Sequence, residues 1–315
     1  MRSADVLVVG AGVIGASIAY NLARDGADVL LADRAQPPAG STASGSSAGG
    51  VRQQGRVAPE IPLAIESIAM WAGLADELGM DIHYHCHGMT FCVDDPRLLP
   101  ALHARVARER AAGLEIRVVE ADALRRMLPC VSPRIVAGSY CPTDGHADPM
   151  RTTRAFSLAA ERHRARVLWD CDVRGFRRDG DRITGAEASA GPLACRTLVL
   201  TAGAATHRIA ARGSVALPML REGFLQMMVT APCPPMLRQV LAWVGHGISL
   251  KQAPSGGFVI GGGWPGRGDV DRYETHLIPG AMAKSAGTTV NLVPALAGVP
   301  VVRAWIGIES YARDE

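Results

Sequence analysis

The sequence predicts an α/β fold: a Rossmann-type, doubly wound domain with a mostly antiparallel, β-rich domain (α+β) interleaved into it. Three observations predict it. An apolar strand at residues 5–9 turns through three spaced glycines into a helix, and a second strand then ends at Asp33. Strands and helices go on alternating as far as Thr201, and beyond Pro218 the segments become β-rich.

The opening unit reads Gly10-x-Gly12-x-x-Gly15. Gly10 makes the turn out of a buried strand. At Gly12 any Cβ would stand between the backbone and a diphosphate, and at Gly15 it would hold the helix off the strand beneath. The unpaired amides and the dipole of the helix start both favour an anion there. Asp33 lies 18 residues beyond Gly15, where a carboxylate accepts hydrogen bonds from a ribose. Strand, helix, second strand and acid fall in register, which marks a dinucleotide site over an ordinary αβ turn.

Residues 37–55 are small and turn-rich, including Thr42, Ala43, Ser44, Gly49, Gly50 and Val51. They suit a flexible loop or a main chain that approaches a flat ring system closely, and the second reading is preferred. Helical spacing predicts a helix over 61–78, and 82–87 alternates like a strand. A helix over 97–112, a strand over 116–119 and a helix over 122–127 follow. Asp148, before Pro149, is placed to cap a helix running to about His163. Strands are expected at 167–169, 173–178, 183–188 and 197–201, the last entering the turn Ala202-Gly203-Ala204. Further strands are expected at 223–230, 248–252, 258–263 and 299–308. The division is then 1–82, 145–215 and 300–315 for the nucleotide-binding domain, with 83–144 and 216–299 for the substrate domain.

With 315 residues, 48% of them apolar, the chain can bury a large core. A formal charge of +3 and arginines without interleaved aromatics argue against nucleic-acid binding. Seven cysteines without C-x-x-C spacing support neither a disulfide framework nor an iron–sulfur cluster, and reduced cytosolic thiols are expected. The apolar run 6–23 carries the glycine fingerprint and follows Asp5, so it is not a membrane span. A cytoplasmic protein is expected, attached to the inner membrane at most through a partner. His83, His85 and His87 would share one face of a strand, a spacing that can hold a metal. No carboxylate or cysteine completes such a set, so no metal is expected. They are read as mainly structural, with His87 an outside candidate for the edge of a bound ring.

Together, the Gly10 to Gly15 turn, Asp33-Arg34, the Gly/Ser stretch running into Gly49-Gly50-Val51-Arg52-Gln53, Asp144-Gly145 with Asp148-Pro149, and residues 198–204 resemble the D-amino-acid oxidase (DAO) family of FAD enzymes. Segments 225–230, 249–252 and 261–266 are similar to the small subunits of opine oxidases and hydrogen cyanide synthase. The resemblance implies FAD bound extended: adenosine near Asp33, Arg34 and Val173, diphosphate on Gly10, Gly12, Val13, Ile14 and Gly15, the flavin and its diphosphate lined by Thr42, Ala43, Ser44, Gly49, Gly50 and Val51, with Ala202 and Gly203 alongside. It implies hydride transfer from the C–N carbon of an amine, amino acid, imino acid or opine to flavin N5.

Such a site clamps a carboxylate with arginine, for which Arg52, Arg221 and Arg303 are the candidates; each is equally compatible with a solvated surface position. Lys251, in an apolar β-segment, either faces ring or substrate or snorkels outward. Val259 occupies the place where N-methyl amino acid oxidases of the family carry an oxygen-activating lysine, which favours a dehydrogenase passing electrons to a partner or quinone pool instead of to oxygen. The family continues beyond an aspartate that Asp314 matches, so the sequence is expected to be a piece of a longer enzyme. Glu309 stands where glycine oxidase-like enzymes carry a carboxylate-binding arginine, which would favour an amine or a guanidinium-bearing opine. The alternatives are an NAD(P)-dependent dehydrogenase and a non-catalytic, FAD-holding subunit.

Overall fold

The computed structural model describes residues 2–36, 42–272 and 274–312, the side chains of 219–222 excepted. Asp314, the part of the small-residue stretch at 37–41 and the Arg221 side chain lie outside the described residues.

A six-stranded sheet runs in the order Arg166–Leu168, Val29–Ala32, Arg2–Val9, Leu193–Leu200, Arg182–Ala188 and Val173–Asp179. The first four strands are parallel and the last two antiparallel. Its central strands are apolar on both faces because both are covered. Val8, Val29 and Leu31 pack against the helices Val13–Arg24, Ile61–Leu78 and Pro149–Arg162, while Leu7, Val9 and Leu30 pack on the far side with Val173 and Leu193. Helix Pro149–Arg162 starts as expected: Asp148 Oδ1 accepts from the amides of Met150 and Arg151 at 3.0 and 2.9 Å.

The second sheet has eight strands: Val301–Ala312, Met219–Thr230, Phe258–Gly261, Ile248–Gln252, Val240–Trp243, Met89–Val93, Ala137–Cys141 and Arg117–Glu120. All pairings are antiparallel except that of Val240–Trp243 with Met89–Val93. A two-stranded link, Gly50–Val51 with Gly145–His146, lies between the sheets.

Four expectations change. Residues 82–87 form no strand, because His83 takes φ 50° and interrupts the extended backbone. Val301–Ala312 pairs along its length with Met219–Thr230, so it belongs to the second sheet, whereas the division by sequence put 300–315 with the nucleotide-binding domain. Strands Met89–Val93, Ala137–Cys141 and Val240–Trp243 were not foreseen; each is short and flanked by turn residues. Nor was helix Pro279–Leu292, whose two glycines and paired threonines weaken the helical signal although Pro279 suits its first position.

Candidate active site

At the carboxyl ends of the parallel strands lies a cavity of about 230 Å³. Gly10, Gly12, Asp33, Arg34 and Val173 line it, and so do Thr42, Ala43, Ser44, Ala202 and Gly203. Gly10 has φ +101°, and a Cβ there would come within 2.5 Å of the Thr201 carbonyl oxygen. Helix Val13–Arg24 begins at Gly12, which supplies no side-chain cap, and its first turn has no acidic residue, so no helix residue opposes an anion at its positive end. Ser44 Oγ accepts from the Val13 amide at 3.0 Å. Asp33 is braced: Oδ2 accepts from the Ala11 amide at 2.6 Å and Oδ1 from Ala35 at 2.9 Å.

Other expected cofactor residues stand apart from this cavity. Gly15 lies underneath, where a Cβ would collide with the Gly10 carbonyl and the Thr201 hydroxyl. The Ile14 side chain is 65% exposed, and Val13 meets the site only through its amide. Gly49, with φ +73°, and buried Val51 shape the link to Gly145–His146.

Two further cavities continue the tract. One of about 390 Å³ shares Ala43 with the first and includes Gly307 and Glu309. The next, of about 770 Å³, shares Ala48, Ser249 and Gly262 with it and is lined by Gly50, Arg52, Arg56, Phe91, Arg105 and Lys251, with Trp243 among its wall residues. One face of the second sheet forms its floor. Met89 and Phe91, Val240 and Ala242, and Ser249 and Lys251 lie in matching register on three adjacent strands.

The large cavity is strongly cationic. The Arg52 and Arg105 guanidinium carbons lie 5.8 and 4.9 Å from the Phe91 ring centroid. Arg52 donates to the Gln54 carbonyl, while Arg105 donates to Ser139 Oγ and approaches buried Glu109 at 3.4 Å. Gln54 is held from both ends, donating to the Met89 carbonyl at 2.7 Å and accepting from Ser139 at 2.8 Å. Burial lowers the pKa values of both arginines; neighbouring Arg56 adds to the effect on Arg52, and Glu109 offsets it at Arg105.

Lys251, 8% exposed, sits opposite Val259 in register and donates to the Ala147 carbonyl at 3.1 Å. Its Nζ is 3.3 Å from His146 Nδ1. Burial brings Lys251 down to about 8, with Asp148 pulling the other way, and burial followed by the Lys251 charge brings His146 to about 3. At neutral pH an ammonium therefore donates to a neutral imidazole, whose remaining proton is on Nε2.

This geometry has a stability consequence. The folded pKa of Lys251 lies below its unfolded value of 10.5, so the cost of the buried charge is fully present below pH 8 and is relieved between pH 8 and 10.5. Relative to Lys251→Met, the wild type should gain about 3 kcal/mol across that window. Urea unfolding of both proteins at pH 7 and pH 10 checks this; equal differences at the two pH values would contradict it.

Arg303 does not join the site: it is exposed, over the Trp305 ring at 5.3 Å, at the outer end of its strand. Glu309 lines the connecting cavity and not the chamber that holds the arginines, and it accepts from the Tyr311 hydroxyl at 3.0 Å. His85 and His87 stack at 5.8 Å, and His85 also meets His146 at 5.1 Å, while His83 turns away to pair with Asp81. No group of three or more potential metal ligands occurs among the described residues. Sequence reasoning missed Arg56, Arg105 and Phe91. Phe91 lies on an unforeseen strand, and Arg105 occupies a helix position that sequence alone cannot distinguish from a solvated one.

A glycine-started helix with no acidic residue in its first turn, a carboxylate at the end of the second strand, and a tract of small residues leading to an aromatic, cationic chamber suit an elongated dinucleotide with a reactive ring at its far end. The comparisons with known proteins agree. The family model described as FAD dependent oxidoreductase (DAO) matches residues 5–315. The chain is 25% identical over 319 residues to the beta subunit of sarcosine oxidase from Rhizobium meliloti (strain 1021), covering 98% of this chain and 75% of that one. It is 27% identical over 318 residues to glycine oxidase of Geobacillus kaustophilus (strain HTA426), covering 98% and 82%. L-proline dehydrogenase from P. horikoshii superposes with a TM-score of 0.90 at 22% identity, covering 99% of this chain and 82% of that chain, a likeness of fold.

Proposed function

The chain belongs to the DAO family of FAD-dependent oxidoreductases, and on that premise we propose that it oxidises a C–N bond of an amino acid, imino acid or opine held in the chamber of Arg52 and Lys251. The observation that carries this reading is the series of three cavities, each sharing lining residues with the next, from the start of helix Val13–Arg24 to the cationic chamber. FAD bound along it supplies an acceptor for two electrons and the hydrogen of the C–N carbon, leaving an imine that water hydrolyses.

The residues of this chain do the holding. The turn from Gly10 to Gly15 receives the diphosphate on main-chain amides, and Asp33, Arg34 and Val173 serve the adenosine end. Thr42, Ala43, Ser44, Ala202 and Gly203 flank the middle, and Gly50 borders the ring end. Arg52 fixes a substrate carboxylate and so orients the carbon that loses hydrogen. Phe91 walls the chamber against water. The sarcosine oxidase relative is by name a subunit, which supports a partner subunit here; that such a partner accepts the electrons is part of the proposal. No helix among the described residues is long and apolar enough to cross a membrane.

The test is direct. Denaturing the yellow holoprotein should release a fluorescent isoalloxazine, and adding an amino acid or opine without oxygen should bleach the bound colour. A colourless protein that binds NAD, or a colour that no C–N substrate bleaches, would refute the reading.

A further inference from the structure

Lys251 presents a buried nitrogen to the large cavity, and its neighbours fix how that nitrogen is turned. The residue is 8% exposed, and Nζ lies 3.1 Å from the Ala147 carbonyl oxygen and 3.3 Å from His146 Nδ1. Both atoms only accept, because the His146 ring is neutral with its proton on Nε2. His146 is itself tied down, its amide donating to the His85 carbonyl at 3.0 Å and its carbonyl accepting from the His85 amide at 2.8 Å.

A lysine nitrogen has four tetrahedral positions. Cε takes one and the two acceptors claim two N–H bonds, which leaves one position for the cavity that Lys251 lines. On the ammonium that position carries a third N–H; on the neutral amine it is the lone pair. The neutral form is within reach. No carboxylate pairs with Nζ within 4.0 Å among the described residues, and Asp148 acts on it only through space, with Oδ1 committed to the amides of Met150 and Arg151. Burial outweighs that attraction and brings Lys251 down to about 8, where an amine is partly free at neutral pH and still basic.

An alkylamine substrate arrives at neutral pH as an ammonium. Its nitrogen then has no lone pair with which to form a C=N bond. We propose that Lys251 is the base that prepares the substrate: its Nζ lone pair removes one proton from the ammonium nitrogen, and the amine so formed is what loses hydrogen. The inference rests on the C–N oxidation reading and adds a catalytic residue to it. One N–H bond of the substrate breaks and one forms on Nζ. The freed electron pair builds the C=N bond as the carbon's hydrogen departs with its own pair to the bound FAD. The proton stays on Lys251 until the product leaves and water enters.

The first test follows bleaching of the FAD-loaded protein by an amino acid without oxygen, as a function of pH. The wild-type rate should rise about 10-fold per pH unit up to about pH 8 and level off above it. The titratable or charged groups around Lys251 are His146, Asp148, His85 and His87 of the neighbouring loop, and Arg52 across the cavity. Burial keeps His146 and His85 below the ordinary histidine range, so neither changes charge in this window. Lys251→Met should bleach about 100-fold or more slowly at pH 7, with a rate still climbing toward pH 10 as the substrate loses its own proton. Lys251→Arg keeps a charge but has no lone pair to offer, so it should be slow as well.

The second test needs no turnover. The chain has two lysines, Lys251 and Lys284, so protein labelled with 13C-lysine gives two Cε signals, and the one absent from Lys251→Met belongs to Lys251. Its titration midpoint should fall near pH 8. This separates a base that never forms from an enzyme that oxidises no amine. A Lys251 midpoint above about 10, a wild-type bleaching rate flat from pH 6.5 to about 9.5, or a Lys251→Arg variant that bleaches like the wild type would each overturn the proposal.

Discussion

Gly15→Val should yield a protein that is colourless or unfolded. At this position the first turn of helix Val13–Arg24 crosses the strand end so closely that a Cβ would overlap the Gly10 carbonyl and press on the Thr201 hydroxyl. That hydroxyl already donates to the carbonyls of Val9 and Gly10, at 2.9 and 2.8 Å, so it cannot swing away without breaking the junction. Backbone is the obstacle, and backbone yields poorly. The strain should exceed about 3 kcal/mol, enough to weaken FAD binding more than about 100-fold because the helix start is lifted off its cradle. Gly73→Ala is the matched control: it lies inside helix Ile61–Leu78 with nothing within 4 Å of a new Cβ. That change should be neutral or stabilise by up to about 1 kcal/mol. Flavin absorbance per protein after gel filtration reads both, and a fully yellow Gly15→Val would contradict the account.

Arg105→Met should cost nearly as much by a different route. Glu109 is 3% exposed; its Oε1 accepts from the Gly55 amide at 3.0 Å and faces Arg105, while its Oε2 has no partner among the described residues. Removing the guanidinium leaves that carboxylate buried without its ion-pair partner, with a loss of about 3 kcal/mol. Neutralising both partners, Arg105→Met with Glu109→Gln, should recover most of the loss, because the unpaired charge is what destabilises. Denaturant midpoints of the single and double variants measure this. A single variant as stable as the wild type would contradict it.

What was legible in the sequence follows from how local each signal is. The glycine turn, Asp33 and the Asp148 cap depend on neighbours within a few residues or on one βαβ unit, and the structure has them where the pattern placed them. The chamber was half-legible. Lys251 stood out as a charge in an apolar strand and Arg52 as a charge beside the small-residue stretch, and both line one cavity. Arg105 and Phe91 were hidden, because they reach the chamber through strand pairings and contacts between distant parts of the chain. Arg303 misled for the complementary reason. It shares a strand with Gly307 and Glu309, which face the connecting cavity, but it sits past the end of that cavity, a distance that periodicity does not encode.

The short pairing of Gly50–Val51 with Gly145–His146 makes one stretch of backbone common to two tasks. Upstream, the same stretch presents Ala43 and Ser44 to the nucleotide cradle. Downstream it carries Arg52, and its pairing partner carries His146, which holds Lys251. Any effect that filling one end has on affinity at the other through this stretch is matched by an equal factor in the reverse direction.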